Sequence, residues 1–164
     1  MKARNASYRT TQTARLIAEL PDNEVVRSPG SENVKGAKWR LASSLVVQAK
    51  TDSCVLETEL HAIERLVAQG QGRPADFIPI RFAFANKLGS DDKLLLGFDA
   101  FVLSKSLGRK VGTGKIIRGD DSATLKANTS ALTGEVRKRI TFELTEREGN
   151  NKAMEGLQQI MVQL

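Results

Sequence analysis

Residues 75–107, ADFIPIRFAFANKLGSDDKLLLGFDAFVLSKSL, change hydrophobic period halfway along, and that change decides the fold. From Ala75 to Phe84 the chain alternates, with Ile78, Ile80, Phe82 and Phe84 on one side and Phe77, Pro79, Arg81 and Ala83 on the other. A strand in a sheet covered on both faces reads this way. From Asp91 the period becomes helical, with Ser90 as N-cap, Asp91 and Asp92 as first-turn anions favoured by the helix dipole, and Gly108 as the stop. Leu94, Leu95, Leu96, Phe98, Phe101, Val102, Leu103 and Leu107 cover nearly the whole circumference, which predicts the most buried helix of the chain. Asp99 falls in the middle of it. A buried carboxylate is costly unless paired, so Asp99 requires an arginine or a set of donors, or else marks a site.

Before this unit, Leu41–Lys50 and Val55–Leu66 flank the polar TDS and read as a hairpin, although a helix competes for the second segment. In that segment Leu56, Leu60 and Ala62 should face one way, and Glu57, Glu59, His61 and Ile63 the other. Further upstream, a helix is expected from Ser7 to Leu20, ending at Pro21, followed by a short strand from Glu24 to Arg27. After the central helix, Val111–Arg118 and Ala123–Asn128 read as strands around the turn GDDS. A helix capped by Ser130 should run to Glu146, and an amphipathic helix should occupy Asn151–Leu164. These elements make an α+β fold: a small mixed, largely antiparallel sheet flanked by helices.

A chain of 164 residues with 40% apolar residues suits one domain. No apolar run has the length of a membrane span and the first residues lack a signal-peptide core, so a cytoplasmic protein with no membrane partner is expected. Cys54 is the only cysteine and His61 the only histidine, so this chain alone assembles neither an iron–sulfur cluster nor a zinc site, and no cofactor is expected. The formal charge of +6 is concentrated. Between Arg109 and Arg139 eight cations (Arg109, Lys110, Lys115, Arg118, Lys126, Arg137, Lys138 and Arg139) face three acids (Asp120, Asp121 and Glu135). Such a face suits the phosphates of DNA or RNA, and equally a surface that only keeps the protein in solution. VGTGK at 111–115 lacks the spacing of a phosphate loop.

The segments NASYR, ENVKGAKWRLA, LHAIER, FIPIRFAFANKL, DDKLLLGFDAFVLS, LGRKVGTGKII and TSALTGEVRKR together resemble a family of RecB-like putative nucleases. This family is related to the CRISPR-associated RecB-type exonucleases and lies within the PD-(D/E)XK superfamily. The resemblance implies a restriction-endonuclease-like core over residues 1–146 and a divergent C-terminal helix over 147–164. It also implies a magnesium- or manganese-dependent site built from an Asp, a Glu-x-Lys pair, and a helical Gln followed by a Tyr. On this chain the Glu-x-Lys pair falls on Arg81 and Ala83, the Gln and Tyr on Leu95 and Asp99, and the upstream Asp near Ser43 and Ser44. None of these matches. Glu57, Glu59, Glu64 and Asp76 remain as acidic substitutes, with Lys87 or Lys93 as a displaced lysine. The family's flanking cysteines are absent too, which implies a version truncated at both ends.

Three readings result. The first is a catalytically degenerate module that binds nucleic acid non-specifically through the basic segment, with Arg81 as a phosphate contact. The second is a metal-dependent nuclease with relocated residues, for which Glu59, Glu64, Lys93 and Asp99 are the candidates. The third is an assembly subunit pairing through its apolar tail. A homodimer is expected, because the tail stripe Met154, Leu157, Ile160, Met161 and Leu164 must be buried somewhere.

Overall fold

The computed structural model describes residues 2–30, 34–67, 72–150 and 158–160. Helix α1 (Lys2–Ala18) is followed by a 3-10 turn and the short strand β1 (Val25–Arg27). The hairpin β2 (Leu41–Lys50) and β3 (Cys54–Leu66) leads to β4 (Asp76–Ala83), and α2 (Ser90–Leu107) then crosses to β5 (Thr113–Arg118). Next come β6 (Ala123–Asn128), a 3-10 turn (Thr129–Leu132), α3 (Thr133–Asn150) and β7 (Gln158–Ile160). The fold is α+β, with one mixed sheet in the order β1-β2-β3-β4-β5-β6 and β7 beside the start of β3. The pairs β2–β3, β3–β4 and β5–β6 are antiparallel, whereas β4–β5, β1–β2 and β3–β7 are parallel. The second hairpin segment is a strand, as its alternation predicts.

Each face of the sheet carries its own core. On one face α2 and α3 bury Leu45, Val47, Leu56, Leu60, Phe98, Val102, Leu103 and Val136. On the other, Tyr8, Leu16 and Ile17 of α1 pack on Leu41, Ala62, Ile80, Phe82 and Ile117. The two faces of β4 sort as its alternation predicts, with Phe77 in the first core and Ile80 and Phe82 in the second. Close approach of α3 to α2 depends on Gly97, where an added Cβ would lie 2.9 Å from Leu132 Cβ and 3.1 Å from Val136 Cγ2. No helix among the described residues is long and apolar enough to cross a membrane.

The expected alternation along β3 fails at one point. Leu56 and Leu60 belong to the α2 core as expected, but Ala62 joins the α1 core while Ile63 joins the α2 core. The phase reverses at His61. Opposite it, between the pairs Ser43–Ala62 and Leu45–Leu60, Ser44 has φ 54°, so both strands turn over together. A Ser in the left-handed region gives no strong sequence signal, because glycine or asparagine is the usual occupant.

Element ends shift where the caps differ from those expected. Helix α1 begins at Lys2 rather than Ser7. Gly89, not Ser90, is the N-cap of α2, and its N–H donates to Asp92 Oδ2 at 2.9 Å. Gly108 closes that helix at φ 68°, as expected. The third helix enters through a 3-10 turn in which Asn128, not Ser130, accepts the Ala131 N–H at 3.3 Å. It continues past residue 146 to Asn150. Most of the amphipathic helix expected over 151–164 lies outside the described residues, and Gln158–Ile160 are extended, paired with Cys54–Leu56.

Candidate functional site

The site begins with Asp99, which α2 carries into the apolar layer and leaves with no exposed surface. Position 99 faces β3 and β4. Thr58 Oγ1 donates to Asp99 Oδ1 at 2.6 Å, Arg81 Nε donates to Oδ2 at 2.7 Å, and Arg81 Nη2 donates to Oδ1 at 3.1 Å. Burial pushes the carboxyl above its ordinary range, and Arg81 and Thr58 draw it back. Three donors aimed at two oxygens suit the ionised form. The pairing demanded by the sequence is therefore met by Arg81.

Beside this pair lies a cleft of about 510 Å³, lined by Asn5, Arg9, His61, Arg81, Phe84 and residues of α2 and β5.

 The α2 wall of the cleft is Leu95 and Asp92, and the β5 wall is Ile116. His61 sits at the strand reversal, where its Nδ1 accepts the Phe82 N–H at 3.1 Å and its ring stacks on Phe82. Burial, then the charges of Arg81 and Arg9, push its pKa down to about 2, so the ring is neutral at ordinary pH. Arg9 of α1 donates to Glu59 Oε1 at 2.7 Å and to Ser44 Oγ at 3.2 Å.

The candidate acids do not converge. Glu59 is bound to Arg9, Glu64 to Lys115 at 3.2 Å, and Asp99 to Arg81. Each carboxylate has its own cation. Thr58 and Glu59 are successive residues of β3, so the carboxylate that Thr58 meets and the carboxylate of Glu59 lie on opposite faces of the sheet. Lys93 is exposed in the first turns of α2. Among the described residues no group of three or more His, Cys, Asp or Glu could hold a metal ion.

The basic segment is divided rather than gathered on one face. Arg109 donates to the Ala75 carbonyl and lies over the Phe77 ring, and Arg118 donates to the Asn86 carbonyl. Lys115 is held by Glu64, Lys138 pairs with Glu135 at 3.6 Å, and Arg139 pairs with Glu143 at 3.5 Å. Lys110 and Lys126 are exposed and lack a partner among the described residues; they line one groove with Thr113, Asn128 and Ser130. Lys110 also borders a second groove with Arg137 and Lys105, and both of those cations lie over the Phe101 ring. These grooves flank the carboxyl end of α2, whereas Arg81 lines the cleft at its amino end. The thirteen helical steps from Asp92 in the cleft wall to Lys105 in the second groove span about 20 Å.

Sequence reasoning missed Arg9, Lys105 and the placement of His61. Arg9 had no local signal, since its partner Glu59 is fifty residues away. Lys105 did have one, standing four residues after Phe101 on the same helix face. No protein-family model matches this chain, and no curated protein matches it.

Proposed function

We propose that this protein is a catalytically degenerate RecB-like nuclease-fold module that binds nucleic acid non-specifically through the lysine groove at the carboxyl end of α2. The antiparallel β2–β3–β4 sheet with α2 packed on it supports a restriction-endonuclease-like core. The observation that carries the functional reading is the contrast in pairing. Glu59, Glu64 and Asp99 are each neutralised by a separate cation, while Lys110 and Lys126 stay exposed and unpaired among the described residues. A divalent cation needs several oxygen ligands at roughly 2.0–2.6 Å, and one-to-one ion pairs turned to different faces do not supply them. Two free ammonium groups beside Arg137 do suit a phosphate backbone, as point charges without base readout.

A fluorescence titration with duplex and single-stranded DNA tests this. Three phosphate contacts predict a slope of log affinity against log salt of about −2.7 on duplex, with dissociation constants in the micromolar range at physiological salt. Lys110→Glu combined with Lys126→Glu should weaken binding to every sequence alike and remove about two contacts from the slope. No binding at low salt would overturn the reading. Cleavage of linear DNA with magnesium or manganese that disappears in Glu59→Ala or Glu64→Ala would replace it with a metal-dependent nuclease.

A further inference from the structure

The cleft at the other end of α2 presents donors that no described residue accepts. Arg81 commits Nε and Nη2 to Asp99, which leaves Nη1, 3.4 Å from His61 Nε2. That nitrogen cannot accept. Because His61 Nδ1 already accepts the Phe82 N–H, the proton of the neutral ring sits on Nε2. Two donors therefore meet without an acceptor between them, and an acceptor beside both would satisfy them. Arg9 borders this space from α1, with donors beyond those that it gives to Glu59 and Ser44. Besides burial, the charges of Arg81 and Arg9 disfavour a cation at His61, which places two guanidinium groups near the ring. Asp92, also in the wall, accepts the Gly89 N–H through Oδ2.

Apart from Asn5, the rest of the wall is apolar. Phe84 is 37% exposed and meets Tyr8 edge to face, which leaves ring surface beside the donors. A volume of about 510 Å³ accommodates a ligand of nucleotide size. Donors converging from α1, β3 and β4 suit a tetrahedral oxyanion better than a planar carboxylate. We propose that this cleft binds a phosphate monoester on an aromatic body, a nucleotide, with His61 Nε2–H, Arg81 Nη1 and Arg9 as its donors and Phe84 beside the base. The source of the nucleotide, free or at the phosphorylated end of a strand, rests on the nucleic-acid reading; the site itself does not.

Calorimetric titration with AMP, adenosine and inorganic phosphate tests the site. AMP should bind, phosphate more weakly, and adenosine not measurably. Arg9→Gln should weaken AMP about tenfold, the loss of a charge-assisted hydrogen bond, and His61→Leu should do the same once a melting curve shows it folded. AMP binding no tighter than adenosine, or equal in the parent and in Arg9→Gln, would overturn the proposal. Competition of AMP by a short strand with a 5′-phosphate, but not by its 5′-hydroxyl counterpart, would identify the strand end as the source; AMP binding without such competition would identify the free nucleotide. Because no duplex is present, failure here leaves the groove reading untouched, and failure of the duplex titration leaves this site untouched.

Discussion

The site beside Asp99 and the groove at the carboxyl end of α2 treat positive charge in opposite ways. In the first, Arg81 is 17% exposed and fixed by two hydrogen bonds to a carboxylate with no exposure. At the carboxyl end Lys110 and Lys126 extend into solvent without a partner among the described residues. The first arrangement costs desolvation of both ions, which only good geometry recovers; the second costs almost nothing and contributes almost nothing to folding. A cation that stabilises a fold is already spent, and a cation available to a ligand leaves little trace in stability. The same residue types therefore carry different information at the two sites.

The largest expected effect separates them most directly. Arg81→Ala strands the Asp99 carboxylate in the core and should destabilise the protein by about 3–5 kcal/mol in chemical denaturation. A loss under about 1 kcal/mol would mean that the pair is not what holds this site together. An intermediate effect comes from His61. Its folded pKa is depressed from 6.5 to about 2, so the unfolded ring takes up the proton first. The stabilisation is complete above pH 6.5 and is lost as pH falls toward 2, so that by pH 5 the loss is about 2 kcal/mol. The raised pKa of Asp99 acts in the opposite direction, so the ring is isolated by comparing the pH slope of the parent with that of His61→Leu. As the only histidine, its imidazole NMR signals should show no titration midpoint between pH 5 and 8. The smallest effect belongs to the groove. Lys110→Glu with Lys126→Glu should change stability by less than about 0.5 kcal/mol while it lowers duplex binding, and a cost above about 1 kcal/mol would make those lysines structural.

Much of the architecture is legible in local spacing, because a period of two and a period of 3.6 are written in consecutive residues. Both hairpins, β4 and α2 follow from it, and so does the need of Asp99 for a partner. Arg81, the partner, lies eighteen residues away on a neighbouring strand, where only the assembled sheet sets the distance. The basic segment is divided for the same reason. Its charge is a property of the sequence, but Glu64, fifty-one residues from Lys115, and the backbone carbonyls of Ala75 and Asn86 decide which cations remain free. Helix starts were displaced where a glycine or asparagine took the cap from a nearby serine.

The reversal at Ser44 and His61 also indexes the hairpin. In a regular antiparallel pair a slip of two residues keeps every side chain on its own face, so parity alone does not forbid it. Here both strands exchange faces at one shared step, and a slip of two would set Ser44 opposite Glu59 or Ile63 instead. For those intervening residues one strand would have turned over while its partner had not, and apolar side chains would be sent to the wrong core. The β2–β3 hairpin therefore accepts a single alignment, and a neighbouring copy could exchange strands with it only by reproducing the same step.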